Sequence, residues 1–304
     1  MNLLEQANKL ATSQEDRFIV EVTNIQIQVA TKEKGWLEQA EESYARALAS
    51  TPAEKQLLYY QGKDAAHYFM GLAYLEAHEF TKARDSFRQA LDYKADSKWH
   101  QKADAVWKRT DRIVRAMAGV TVGNVGKEVA VKKQVSRADL AALLIDEVKL
   151  DNLFAGRIPA TSQVETMKPE FIPADILNHP FKAEVLTTMK WNVRGLEPTY
   201  DSTTQARLFK PEDAVTRKAF ALILEDILVK LTGDEKLPTA FLGHSRSPFP
   251  DVSPSAAWYN AAVNVTTRGL MEAELSGEFR PDAAVDGAEA LLAVRVLKQQ
   301  INIH

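Results

Sequence analysis

The chain has 304 residues, of which 45% are hydrophobic and 26% are charged, and its formal net charge is −3. This is an ordinary globular composition, and the length favours two domains over one. The sequence contains no cysteine, which excludes disulfides, zinc–thiolate sites, iron–sulfur clusters and cysteine nucleophiles. The slightly acidic balance argues against a general nucleic-acid binder.

The start of the chain shows no targeting signal. Met1 to Leu10 has no basic segment followed by an apolar run, so no secretory signal peptide is predicted there. No apolar stretch approaches the roughly 18 residues that suggest a membrane span, so we expect none.

The first part of the chain has apolar residues at helical spacing. Phe18, Val22, Ile25 and Val29 fall on one face of a predicted helix. Two later sets share one spacing of small and aromatic residues, which lets two helices approach closely beside an aromatic ring. The sets are Ala40, Tyr44, Ala47, Leu48 and Ala83, Phe87, Ala90, Leu91.

This pattern resembles the tetratricopeptide repeat, an antiparallel helical hairpin. The resemblance predicts a hairpin stack over residues 1–120, with a last helix from about Ser97 to Ala118. Such stacks hold a protein partner, so the resemblance implies one here. The two sets lie further apart than the family's usual period of about 34 residues. We expect the extra residues, around Ala53 to Asp64, to lengthen a helix.

The second half carries one pattern three times. The copies begin at Val135, Val215 and Val285, and six residues before each valine stands an apolar residue: Val129, Phe209 and Phe279. The residue after each valine can accept a hydrogen bond from the backbone of a helix that it opens. These predicted N-caps are Ser136, Thr216 and Asp286, and the residues three positions on are Asp139, Ala219 and Glu289.

The threefold pattern resembles the S-layer homology module, whose repeat reads F-x-D-V, a helix, then F-x-P and V-T-R-A-E before a second helix. The third copy, which begins Phe249-Pro-Asp-Val, matches over most of its length. The resemblance predicts a mainly all-α protein in which residues 125–304 form a pseudo-threefold helical bundle. Its repeats would span about 125–150, 171–230 and 248–298.

The family resemblance implies noncovalent attachment to cell-wall polysaccharide or peptidoglycan in grooves between repeats. The arginine of its T-R-A-E stretch would contact an acidic sugar substituent. The matching residues are Arg137 and Arg217, and the other candidate ligand-binding residues are Trp258, Asp139 and Glu289. The third copy has Gly287 in place of arginine, and the second has Ala219 in place of the acid. Trp191 and Trp258 also fit a helical core.

The sequence therefore predicts a non-enzymatic scaffold of the bacterial cell envelope, in the periplasm or on the cell surface if a leader was removed, and otherwise in the cytoplasm. The alternative is a protein–protein adaptor whose repeats no longer bind glycan. An enzyme with a dispersed site is a third reading, with a low prior for helical repeats. No catalytic or nucleotide-binding motif and no histidine pair with metal-ligand spacing is present, so no cofactor, metal site or nucleic-acid partner is predicted.

Overall fold

The computed structural model describes residues 3–93, 95–118, 121–158 and 171–302. It is mostly helical and its described residues form only one small sheet, which confirms the predicted all-α class. The chain divides into two compact units, Met1–Ala118 and Gly119–His304.

The first unit consists of helices that pack as successive antiparallel neighbours. Helix α2 packs on α3, α4 on α5, and α5 on α6. The helices are α1 Leu3–Leu10, α2 Gln14–Thr31, α3 Trp36–Ala49, α4 Asp64–Glu76, α5 Phe80–Tyr93 and α6 Lys98–Met117.

The expected packing of a small residue on one helix against an aromatic ring on the next is seen between α4 and α5. A Cβ at Gly71 would lie 2.6 Å from the ring of Phe87, so only glycine allows this approach. Ala83 and Ala90, one turn to each side of Phe87, are fully buried with it. The sequence pattern therefore corresponds to a real helix–helix contact.

The segment between α3 and α4 differs from the expectation. Residues 50–63 do not lengthen a helix; they form a loop with a short 3₁₀ turn at Glu54–Gln56. Leu57 and Tyr60 of this loop are buried in the core, and the Tyr60 carbonyl accepts a 2.6 Å bond from Nε1 of Trp99. Leu57 and Tyr60 are thus part of the core, although neighbouring residues such as Leu58 are exposed. Pro52 stands where it would interrupt a helix.

The second unit contains seven described helices and one β-hairpin. The helices are α7 Asn124–Ala130, α8 Arg137–Asp146, α9 Leu150–Arg157, α10 Lys182–Lys190, α11 Arg217–Thr232, α12 Tyr259–Thr267 and α13 Gly287–Asn302. The strands β1 Thr199–Asp201 and β2 Ala206–Leu208 pair antiparallel, with Thr199 opposite Leu208. The sequence pattern did not predict this hairpin.

Three backbone hydrogen bonds join the three copies of the motif in a closed ring. The amide of Val135 donates to the carbonyl of Val285, that of Val285 to Val215, and that of Val215 to Val135, each at 2.9 Å. Equivalent residues therefore contact one another in cyclic order, which is the arrangement of a pseudo-threefold axis.

The three predicted N-caps all open helices beside this ring. The hydroxyl oxygen of Ser136 accepts from the amide of Asp139 at 3.2 Å, and Asp139 accepts from the amide of Ser136 at 3.1 Å, a complete capping box. Thr216 and Asp286 accept from the amides three residues on, at 3.4 and 2.8 Å. The prediction that residues 136, 216 and 286 start equivalent helices is confirmed.

Candidate ligand site at the junctions between repeats

At the first junction, Arg137 of the first repeat is held by the second. Its Nε donates to the carbonyl of Phe209 at 2.8 Å, Nη1 to that of Gly195 at 2.6 Å, and Nη2 to that of Glu197 at 2.9 Å. The guanidinium also lies 4.8 Å from the centre of the Phe209 ring. These four contacts orient the cation, yet every acceptor is an uncharged carbonyl or a ring face.

The second junction repeats this arrangement with one change. Nε of Arg217 donates to the carbonyl of Phe279 at 2.6 Å and Nη2 to that of Glu272 at 2.7 Å, while the guanidinium lies 4.9 Å from the Phe279 ring. Its Nη1 forms an ion pair with Oε1 of Glu289, the third residue of α13. Both side chains are almost fully buried, so this cation is neutralised within the protein.

The third junction has no arginine because there is no space for one. A Cβ at Gly287 would overlap the carbonyl oxygen of Val129 in the first repeat. At this junction Lys132 provides the positive charge that pairs with Asp139, the residue equivalent to Glu289. Its Nζ lies 2.7 Å from Oδ1 of Asp139. The carboxylate of Asp139 is therefore shared between this ion pair and its capping box.

The phenylalanine carbonyls that receive the two arginines are themselves fixed by aspartates. Asp175 accepts from the amides of Phe209 and Lys210 at 3.1 and 2.6 Å. Asp251 does the same for Phe279 and Arg280, at 2.8 and 2.7 Å. The sequence analysis missed this role, although the repeated spacing of Asp and Phe could have indicated it.

Lys210 and Arg280, the residues that follow these phenylalanines, take an unusual backbone conformation. Their φ angles are +57° and +55°, which is rare for residues with a side chain. The aspartate bonds to both amides of each turn offset this cost. The two turns are therefore built in the same way, and each presents its carbonyl to the arginine of the preceding repeat.

The charges at the three junctions are not equivalent. At the junction of the second and third repeats, Arg217 pairs with Glu289. At the junction of the first and second repeats, the position equivalent to Glu289 is Ala219, which carries no charge. The carbonyl of Ala219 lies 3.9 Å from where a Cβ of Gly195 would stand, so Ala219 borders the same loop that holds Arg137. Arg137 consequently has no ion-pair partner among the residues that the structure describes.

Burial lowers the pKa of the Arg137 guanidinium by more than the nearby carboxylates raise it. Desolvation lowers the pKa of Arg137, and the longer-range charges of Glu197, Asp213 and Asp175 oppose that shift. The group stays protonated at neutral pH, as arginine does in proteins. An added anion therefore stabilises Arg137, a half-buried cation without a contacting carboxylate, more than it stabilises Arg217, which already pairs with Glu289.

The two tryptophans occupy different environments. Trp191 is 1% exposed and its Nε1 donates to Oδ1 of Asp151 at 2.6 Å, so it is a core residue as predicted. Trp258 is half-buried and stacks on Phe279 with the rings 6.2 Å apart and 21° from parallel.

The structure brings three of the five predicted site residues to one junction. Arg217, Glu289 and Trp258 meet around Phe279. Asp139 lies at the third junction and Arg137 at the first. Binding of a ligand by any of the five stays a prediction. Arg137, Arg217 and Glu289 also make contacts between repeats, whereas Asp139 and Trp258 contact residues of their own repeats.

The family model of the S-layer homology domain matches residues 248–291 of the chain. That stretch includes Trp258, the Phe279 turn and Glu289, and it associates the second unit with attachment to the cell envelope. No curated protein and no solved structure matches the chain. The tetratricopeptide resemblance of the helical first unit has no family match.

Two further features bear on the kind of site. None of the described helices is long and apolar enough to cross a bilayer. No group of three or more histidine, aspartate or glutamate side chains in the described parts of the chain could hold a metal ion.

Proposed function

We propose that the protein is a non-enzymatic binding or scaffold protein of the bacterial cell envelope. The second unit holds an acidic wall glycan, and the helical first unit holds a protein partner. The S-layer homology match and the ring of three repeats support the first half of this proposal. The packed hairpins of the first unit support the second half.

The observation that carries the proposal is the difference between Arg137 and Arg217. Both donate Nε to the carbonyl of the equivalent phenylalanine and lie over its ring, but only Arg217 has a carboxylate of the protein against it. A carboxylate on a sugar substituent takes at Arg137 the role that Glu289 has at Arg217. One chain therefore binds one anionic substituent, at the first junction.

Co-sedimentation with purified bacterial cell-wall sacculi tests this proposal. Wild-type protein is expected in the pellet, and Arg137→Gln is expected to lower the bound fraction at least tenfold. The matched control is Arg280→Gln, an exposed arginine paired with Glu274, which should sediment like wild type. Sacculi stripped of acidic polysaccharide should bind none of the three proteins.

Equal sedimentation of wild type and Arg137→Gln, with both shown to be folded by their melting curves, would contradict the role of Arg137. Failure of the wild type to sediment would remove the glycan proposal altogether.

The second candidate function is a protein–protein adaptor whose repeats have lost glycan binding. The internal ion pairs Arg217–Glu289 and Lys132–Asp139 favour it, because each uses charges at a junction for protein contacts. It predicts no binding to sacculi and a stable partner that co-purifies from native extract. Loss of that partner in a chain lacking residues 1–118 would assign it to the first unit.

A further inference from the structure

A cavity of about 160 Å³ lies in the second unit where the repeat helices end, away from the N-caps. It is lined by residues of α9, α11 and α13, of the segment after α11, and by the C-cap of α12: Arg157, Leu228, Thr232, Asp234, Leu237, Arg268, Gln300 and Ile301. We propose that this cavity binds a small carboxylate with a short apolar tail. The proposal is independent of glycan binding at the first junction.

Arg157 marks the cavity as a meeting point of the three repeats. It lies in α9, after the first repeat, and donates to the carbonyls of Leu231 at the end of the second repeat's α11, at 3.4 Å, and of Ile301 at the end of the third repeat's α13, at 2.7 Å. Leu231 and Ile301 stand at the same step from the starts of α11 and α13. The cation lies at two helix C-termini, where positive charge is favourable, so Arg157 holds the cavity wall together.

Arg268 provides the second cation. Its Nη1 donates to Oδ1 of Asn264 at 2.9 Å, a neutral acceptor. Asn264 is fully buried and donates in turn to Oε1 of Glu225 at 2.8 Å, which fixes the position of Asn264. This single described bond leaves most of the guanidinium donors available to a ligand.

The charge lining the cavity is positive. Arg157 and Arg268 face one carboxylate, Asp234, whose Oδ1 already accepts from the amide of Lys236 at 3.0 Å. Neither arginine has an ion-pair partner within the described parts of the chain. Two guanidinium groups that share a cavity repel each other, and a bound anion offsets that repulsion.

The apolar side of the cavity selects among anions. Leu228, Leu237 and Ile301 are almost fully buried and form that side. A fully hydrated phosphate gains little from an apolar surface, whereas a carboxylate with two or three carbons places its tail there. The planar guanidinium also matches the two oxygens of a carboxylate.

The test uses propionate, acetate and inorganic phosphate as probes at constant ionic strength. The melting temperature of the second unit is measured in the full chain as each anion is titrated, because a ligand that binds the folded state raises it saturably. Propionate is expected to raise the melting temperature at the lowest concentration, with saturation, and phosphate only at much higher concentration.

Arg268→Gln should raise the midpoint of the propionate titration at least tenfold, whereas Arg280→Gln, at an exposed ion pair, should leave it unchanged. Arg268→Lys, which keeps the charge, should fall between them. A linear, unsaturable response in wild type, or equal midpoints for wild type and Arg268→Gln, would overturn the proposal. Equal midpoints for phosphate and propionate would overturn the assignment to carboxylates.

Discussion

The carbonyl oxygen of Val129 occupies the space into which the side chain of residue 287 would project, and position 287 is glycine. The equivalent positions in the other repeats carry Arg137 and Arg217, which contact the following repeat through long side chains. At this position the third repeat meets the first through its backbone alone, because the amide of Gly287 donates to the carbonyl of Lys132 at 2.9 Å. The amides of Arg137 and Arg217 donate in the same way to Asp213 and Ala283, at 3.0 and 2.9 Å.

Gly287→Ala is expected to destabilise the protein by about 3 kcal/mol or more, because the new methyl overlaps backbone rather than a movable side chain. Chemical denaturation monitored by circular dichroism measures the change. Gly156→Ala is the control: nothing lies within 4 Å of its Cβ position, so helix propensity alone should leave stability equal or raise it. A Gly287→Ala variant as stable as wild type would show that the third junction is loosely packed.

Glu289→Gln is expected to cost roughly 3 kcal/mol, because it leaves the buried Arg217 cation without its counter-charge. The double variant Arg217→Met/Glu289→Leu should recover much of the loss, since apolar residues of similar volume can replace a buried ion pair. Wild type, Arg217→Met, Glu289→Leu and the double variant form a cycle, and their free energies of unfolding from denaturant titration give the coupling energy. No coupling between the two positions would mean that the pair does not stabilise the second junction.

Ala219→Glu should reproduce at the first junction the ion pair of the second. We expect it to raise the stability of the second unit by about 1 kcal/mol and to lower the fraction bound to sacculi, because the new carboxylate competes with the glycan for Arg137. Ala219→Gln, similar in size and uncharged, is the matched control and should retain binding. If Ala219→Glu binds sacculi like wild type, the ligand does not use this position.

The buried carboxylate of Glu225 gives the second unit a distinct pH response. Burial raises the pKa of Glu225, and hydrogen bonds from Asn264 and Asn260 partly oppose the shift. Since the folded-state pKa lies above the unfolded one, this group stabilises the fold most at low pH. That contribution is lost as the pH rises through the folded-state value.

Glu225→Gln removes this titration. The stability of the variant relative to wild type is therefore expected to increase from about pH 4 to about pH 7. Melting temperatures of both proteins across this range provide the measurement. A difference that stays constant or falls with rising pH would contradict the direction of the shift.

The helix starts of the second unit could be predicted from sequence because each depends on a local pattern. Ser136, Thr216 and Asp286 accept from an amide only three residues away. The charge pattern between repeats could not be predicted in this way, because Arg217 and Glu289 are 72 residues apart. Only the structure shows that position 289 pairs with the arginine of the preceding repeat, and therefore that the equivalent position 219 borders the loop that holds Arg137.

The errors of the sequence analysis have physical causes of the same kind. Leu57 and Tyr60 are residues that suit the apolar face of a helix, but they lie in a loop. They are buried there because Trp99, 39 residues beyond Tyr60, packs against this loop. The β1–β2 hairpin has strands of three residues each, too short for an alternating pattern to show.

The hydrogen-bond ring of Val135, Val215 and Val285 also has a consequence for folding. In a linear array of repeats each unit touches only its neighbours, and the array can lose a terminal unit and keep the rest. Here the last repeat closes onto the first, so every repeat has two partners and none is terminal. Shortening the chain by one repeat would expose two interfaces at once, and the second unit should therefore melt in a single cooperative transition.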